Sequence, residues 1–515
     1  MLKPTRATYN REQIPFMRNQ RFFLNPFGVV ALVAAVCLVN SYGSTTAWAT
    51  DYPQYLVFQL FTAGAGFTTV PDRNALTKLP AKTNIDNAVK EIIGAIGERG
   101  DKNHVLGFAI GPLALDYTDD QLRRLIRDSF DIALANDVAI VFHIDDSKFW
   151  YNRHDLWRDK NNIEWIDWDR RANTGQYLNW GSPWKLAPQV CFNSPTVVAE
   201  VKRIAGDIIG REIRLGMDRL RAKNREHLFG GVIVGWETAL GRDLTRKTLG
   251  YCALTNRGFS ESEPPRDQAH KDAVLEQVVK EWIETWSGTI MAAGVPRDRI
   301  FSHIAFSPRA AYDAEGGVFA KKAPSYSEHV LWTPPSVAFG DSHYPGFTTY
   351  PDDGIMSQIY AELRQHRNPP WASAEGTNVR IHDGPPQRSA QSMETYLASM
   401  FNHGAAITNL FGWGIGDRGN PFRDSTEDPA SIQAYRKFLR GGFLVEQTFS
   451  EGQDNRKQTL RNRIRALPPK IEAYVRGGGD MRKVEPKIRE MEGFLDRGDL
   501  VNVERVLNEI LAIVE

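Results

Sequence analysis

Eight short apolar runs alternate along this chain with longer stretches whose apolar residues recur every three or four positions, and that alternation leaves few folds open. The runs are Tyr55–Leu60, Val105–Ile110, Val138–Ile144, Gly231–Trp236, Ile300–Phe306, Ser336–Gly340, Pro370–Ala374 and Ala405–Phe411. Between them lie Asn84–Ile96, Thr118–Asn136, Pro195–Leu220, Asp272–Ala293, Gly354–Arg364 and Ser389–Asn402, which read as amphipathic helices; only the connection Arg309–Ser327 has no long helical pattern. Near-continuous apolar strands are those of a parallel sheet covered on both faces. Eight strand-and-helix units over residues 50–449 predict a (β/α)8 TIM barrel with long loops. A doubly wound open sheet is the alternative. Its phosphate-binding turn would fall at Thr62-Ala-Gly64-Ala-Gly66-Phe67, where the third glycine and a following helix are missing.

The chain carries two further segments. Residues 1–49 hold Lys3, Arg6, Arg11, Arg18 and Arg21, then the apolar run Val29–Val39, then Ala47-Trp48-Ala49. This order predicts an export signal cleaved after Ala49, with an uncleaved anchor and membrane attachment as the alternative. The main body is then expected in the periplasm or outside the cell. Cys191 and Cys252 remain in the mature chain, an even count that permits one disulfide. Residues 450–515 are charge-rich and helix-favouring, broken at Gly477-Gly478-Gly479, and predict a small helical appendage. A formal net charge of +1 on 515 residues gives no bias toward nucleic acid. The oligomeric state is not legible.

Active residues of a barrel of this kind stand where strands end. Those positions hold Gln59, His143, Asp145, Asp146, Glu237, Asp341, His343, Glu375 and Trp413, a rim rich in carboxylates. Glu237 closes the run Gly231-Val-Ile-Val-Gly-Trp-Glu237, and Glu375 closes Pro370-Trp-Ala-Ser-Ala-Glu375. Glycoside hydrolysis requires two carboxyl groups across a sugar, one to protonate the leaving oxygen and one to attack carbon or activate water.

With Glu237 in Gly235-Trp-Glu-Thr238, Glu375 in Ser373-Ala-Glu-Gly376 and Trp413 in Leu410-Phe-Gly-Trp-Gly414, the chain resembles the clan A type of retaining (β/α)8 glycoside hydrolases. That resemblance implies Glu237 as acid/base at the end of the fourth strand and Glu375 as nucleophile at the end of the seventh, with Trp413 flooring the site. Trp236 stands where many members of the clan carry Asn. Burial beside Trp236 is expected to favour the neutral acid at Glu237, while His343 or Asn378 would keep Glu375 ionised.

Asp145, Asp146, Asp341, His143 and His343 are expected to hold sugar hydroxyls. The loop from Phe149 to Trp184 holds Trp150, Tyr151, Trp157, Trp165, Trp168, Tyr177, Trp180 and Trp184 among polar residues. It reads either as an aromatic mini-core or as a stacking surface for sugar rings through Trp150, Trp180 and Trp184. His143, Asp145, Asp146, His303, Asp341 and His343 could converge on a metal ion, but the His-x-His of metal-dependent barrels is absent where the first strand ends, at Phe58-Gln59-Leu60. No metal and no cofactor is therefore expected. The competing class is a barrel that binds an oligo- or polysaccharide or an envelope component without cleaving it.

Overall fold

The computed structural model of the chain describes residues 52–62, 79–177, 185–240, 243, 247–305, 333–349, 353–376, 392–413, 428–442, 444, 463, 467–496 and 500–514. Residues 1–49, expected to form an export signal, lie outside the described residues. Among the described residues, no helix is long and apolar enough to cross a membrane.

The eight barrel strands are β1 (Gln54–Phe61), β2 (His104–Leu113), β3 (Ala139–Ile144), β4 (Phe229–Val234), β5 (Ile300–Ser302), β6 (Gly346–Thr349), β7 (Trp371–Gly376) and β8 (Ala405–Trp413). All neighbours pair in parallel, in the spatial order β5-β4-β3-β2-β1-β8-β7-β6. Parallel bridges Phe301 to Tyr344 and Ile304 to Phe347 join the two ends and close the cylinder. The order around the barrel is thus the order along the chain, which is the (β/α)8 topology.

Period-two alternation divides the strand residues between two cores. Tyr55, Val57, Val105, Ala109, Ala139, Val141, Ile233, Phe301, Ala372 and Ala374 fill the lumen. Leu56, Phe58, Leu60, Ile140, Phe142, Val232 and Val234 face the surrounding helices. Those helices form where the apolar spacing places them: α1 (Lys82–Ile96), α2 (Asp119–Asn136), α3 (Gln268–Ala292), α4 (Asp353–Gln365), α5 (Met393–Phe401) and α6 (Pro429–Leu439). A longer run between β3 and β4, Pro195–Arg203 and Arg211–Arg221, passes through a π-helical stretch at Ile204–Gly210. Thr118 starts α2 with a capping box, accepting from Gln121 N while the Gln121 side chain accepts from Thr118 N.

One strand was expected in the wrong place. Ser336–Gly340 is not a strand; Pro335–Ala338 is a short 3-10 helix, and the sixth strand is Gly346–Thr349. Pro334 and Pro335 account for this, since proline removes backbone donors that a central strand needs and favours a helix start. The real strand is four residues of Gly-Phe-Thr-Thr, too short to stand out as an apolar run.

Contacts divide the chain after Phe449. Within the C-terminal residues, helices α7 (Leu467–Arg476), α8 (Glu485–Asp496) and α9 (Leu500–Val514) bury Ile471, Ile488, Met491, Val503, Leu507 and Ile510 against one another. Their apolar faces thus form a core of their own.

Closure of the barrel depends on Gly346. Its backbone N–H donates to Ser302 Oγ at 3.0 Å, its carbonyl accepts from Ile304 N at 3.1 Å, and a Cβ there would collide with the Ser302 carbonyl. Gly346→Ala is expected to destabilise the fold by about 1–3 kcal/mol through overpacking at the seam, read as a lowered midpoint in urea denaturation.

Candidate active site

At the carboxyl ends of β4 and β7 the backbone departs from regular geometry, and each departure sets the direction of a glutamate. After β4, Gly235 has φ +100° and Glu237 φ +54°, a left-handed conformation that costs a non-glycine residue about 1–3 kcal/mol. The turn is pinned from both sides. Thr238 N donates to His303 O at 3.2 Å, and Lys148 Nζ donates to Trp236 O at 2.6 Å. Asp146 accepts from Trp236 N at 3.3 Å, Thr238 Oγ1 at 2.8 Å and Trp282 Nε1 at 2.9 Å.

In β7, Ala372 and Ala374 face the lumen, so strict alternation would send Glu375 outward. A register shift intervenes: Phe347 pairs with Ser373, but the next residue, Thr348, pairs with Glu375. Irregularities of this kind re-aim side chains and are common beside active sites.

The two glutamates converge. One carboxylate oxygen of Glu237, one of Glu375 and a ring nitrogen of His303 all lie within 4.8 Å of one another, and all three residues are buried. Thr348 Oγ1 lies 3.1 Å from Glu237 Oε1 and 2.9 Å from His303 Nε2. The other ring nitrogen of His303 is 3.0 Å from His143 Nε2, and His143 Nδ1 is 2.8 Å from Gln59 Oε1. Asn409 Nδ2 donates to Gln59 Oε1 at 2.9 Å and to Ala374 O at 2.8 Å. A glutamate, a histidine and a glutamate could each lend one donor atom to a divalent ion. Both ring nitrogens of His303 are already committed, however, so the trio does not fit a metal centre without breaking these bonds.

The other expected site residues divide among several places. His143 is at the end of β3 and fully buried, its ring stacked on Trp236 at 4.1 Å between centroids and 12° between planes. Burial without a carboxylate partner lowers its pKa to about 3, so the ring is neutral, and it lies below the surface where a hydroxyl could reach it. Trp236 also meets Phe61 edge-on. Asp145 and Asp146 are buried. Asp145 Oδ1 accepts from the backbone N–H groups of Ser147, Lys148 and Phe149, and Asp146 holds the Glu237 turn. Through these bonds they build the frame of the rim.

Asp341 and His343 require correction. Both precede β6 and so lie at its amino end, opposite the rim. Arg297, just before β5, donates to the backbone carbonyls of Gly340, Asp341 and His343, and His343 meets Ser287 Oγ at 2.9 Å and Ala338 O at 3.1 Å. The misplaced sixth strand put them on the wrong end, and His343 cannot tune Glu375. Trp150 is likewise no stacking platform: it is fully buried and its Nε1 donates to Pro188 O at 2.9 Å. Trp157 and Trp165 donate to Tyr151 O and Lys160 O, so the described part of this loop packs as a mini-core. Cys191 and Cys252 form a disulfide within it, with Cα atoms 6.1 Å apart. Trp180, Trp184 and Asn378 lie outside the described residues. Trp413 ends β8 beside Leu60, and nothing of its side chain is described.

Sequence reasoning missed Thr348, Asn409 and Lys148, and weighed His303 only as a metal ligand. Thr348 and Asn409 follow from strand register once β6 is placed correctly; nothing local in the sequence marks Lys148.

No known protein family and no curated protein matches the chain. Among solved structures, the catalytic domain of a β-amylase from Paenibacillus polymyxa aligns at 8% identity over 76% of this chain and 99% of its own, with a TM-score of 0.42. An endo-β-1,4-mannanase of Cellulomonas fimi aligns at 13% identity over 79% and 74%, with a TM-score of 0.36. An Old Yellow Enzyme from Pichia sp. aligns at 10% over 76% and 85%, with a TM-score of 0.35. Glycoside hydrolases and an enzyme of another kind thus share these scores; the barrel itself is established by the strand pairing of this chain.

Asp145 provides a pH test of the rim's frame. Burial and the neighbouring Asp146 raise its carboxyl from 3.8 to about 7, and among the described residues Oδ2 has no hydrogen-bond partner. Between these two values the folded state holds a proton that the unfolded state has released, so stability falls as pH rises. Asp145→Asn keeps an acceptor for the three backbone donors and removes this loss. The variant is expected to gain stability relative to wild type on going from pH 4.5 to 7.5, measured by urea denaturation at each pH.

Proposed function

We propose that this chain is a glycoside hydrolase acting on an oligo- or polysaccharide with retention of configuration. One observation carries the proposal: two buried glutamates, from the carboxyl ends of β4 and β7, approach within 4.8 Å at the mouth of a closed parallel barrel. Carboxyl groups about 5–5.5 Å apart suit direct attack on the sugar, whereas inversion needs about 6.5–9.5 Å to admit a water molecule. The short separation favours the retaining course.

In the first step a carboxylate oxygen of Glu375 bonds to the anomeric carbon as the glycosidic C–O bond breaks, and Glu237 passes its proton to the departing oxygen. In the second, Glu237, now a carboxylate, takes a proton from water whose oxygen bonds to the anomeric carbon, and the Glu375 ester is released. The same residue serves as acid and then as base. The frame around Glu237, with Lys148, Asp146 and Thr238 fixing the turn, supports a group that must hold one position through both steps. The basic and apolar N-terminal segment supports export, so the substrate would be a glycan outside the cytoplasm.

Glu375→Gln is expected to abolish release of reducing ends from a panel of polysaccharides, and Glu237→Gln to reduce it by roughly 10²–10⁴-fold. Both variants should fold as wild type. Saturable glycan binding without new reducing ends, unchanged by either substitution, would instead identify a non-catalytic binding barrel.

A further inference from the structure

One residue of β7 is left out of the sheet, and it is the one before Glu375. Trp371, Ala372, Ser373 and Gly376 are bridged to β8, and Ala372, Ser373, Glu375 and Gly376 to β6; Ala374 is bridged to neither. From Ser373 onward, β6 advances one residue while β7 advances two, and β8 advances two while β7 advances three. The strand therefore holds one extra residue against both neighbours, which makes a β-bulge. Ala374 and Glu375 in consequence both serve the lumen side: Ala374 packs with Ala372, and the Glu375 carboxylate lies near those of Glu237 and the ring of His303. A regular strand would set Thr348 opposite Ala374 and turn Glu375 to the other face.

A bulge leaves its extra residue unpaired and disrupts the ladder locally, so a buried carbonyl there needs a donor from outside the ladder. Asn409 provides one. It stands on β8 between Thr408 and Leu410, the stretch that faces the extra residue, and alternation from Ile407 turns its side chain into the lumen. Its Nδ2 donates to Ala374 O at 2.8 Å and to Gln59 Oε1 at 2.9 Å. Backbone carbonyls, which only accept, fix both directions. Ala374 O takes the Asn409 nitrogen, while Leu60 O and Ala109 O take the Gln59 nitrogen at 3.2 and 3.5 Å and so turn Gln59 Oε1 toward Asn409. A single nitrogen on β8 thus spends both its hydrogens tying the bulge in β7 to β1.

We propose that Asn409 is the positioning residue for the nucleophile: from β8 it holds the bulge at Ala374 that turns Glu375 into the lumen to meet Glu237. Its use in catalysis rests on the role proposed above for Glu375; its hold on the bulge does not. Without the amide, the Ala374 carbonyl regains a donor when β7 slips by one residue into regular pairing with β6. That slip carries Glu375 to the helix-facing side of the strand.

The test compares crystal structures of the full-length wild type, Asn409→Leu, which has similar volume and nothing to donate, and Gln59→Leu, which removes only the amide's other partner. The wild type should show Ala374 bulged with the Asn409 amide on its carbonyl; a regular β7, or an amide turned away from Ala374, overturns the proposal without any variant having to fold. In Asn409→Leu, Thr348 should pair with Ala374, and the Glu375 carboxylate should withdraw beyond 4.8 Å from that of Glu237. In Gln59→Leu the bulge should remain. A bulge kept in Asn409→Leu, or lost in both variants, refutes the hold by Asn409. On a cleaved polysaccharide, Asn409→Leu should lower kcat by roughly 10²-fold with KM little changed, as for a misplaced reacting group; a lowered urea midpoint with kcat intact would mean a purely structural role and overturn the proposal. If no polysaccharide is cleaved, the proposed hydrolase falls, and the register of β7 in the three structures still decides the role of Asn409.

Discussion

In a closed parallel barrel every second residue of a strand points into a narrow lumen, and this spacing limits what the rim can hold. Tyr55 and Val57 lead to Gln59, Ala139 and Val141 lead to His143, and Phe301 leads to His303, each by steps of two. The lumen is thus apolar at one end and polar at the other, without any special device. The glutamates break the step: Glu237 by a left-handed backbone, Glu375 by a register shift. Regular strands supply the supporting polar residues, and local irregularity supplies the pair proposed to react. That division suits a site where the support must be rigid and the reacting groups must meet at one point.

Burial gives the polar layer its character. Removed from water, His143 and His303 stay neutral, and each polar atom must find its complement among neighbours. Such networks are high-stakes, because an unmatched donor or acceptor costs about 1–3 kcal/mol. Lys148 and Asp146 meet the same demand differently, by satisfying the backbone groups of the turn at Trp236.

How much of this was legible depended on whether a residue's position followed from its own segment. The apolar runs of β1 to β5, β7 and β8 are continuous enough to read directly, and with them the topology and the convergence of Glu237 and Glu375. The sixth strand is four residues with two threonines, and the preceding Ser336–Gly340 mimicked it, so Asp341 and His343 were carried to the wrong end of the barrel. Asp145 and Asp146 were correctly placed after β3; Asp145 is held by the backbone of its own segment, but the partners of Asp146 come from the turn after β4 and from Trp282, far away in sequence. Trp150 shows the same limit: a tryptophan that stacks on sugar and one that packs a loop are the same letter until Pro188 is seen beside its ring nitrogen.

The bond between Cys191 and Cys252 joins positions 61 residues apart, and β4 with Glu237 lies wholly between them. The strand that leads to Glu237 therefore belongs to a covalent ring that also includes the long helical run before it. A protease that cut the chain once at any exposed point between the two cysteines would open the ring without freeing either end. The severed halves would stay tethered, and β4 would keep its place between β3 and β5 by the same pairing that holds it in the intact chain. Cleavage there would leave a nicked molecule with its rim still assembled.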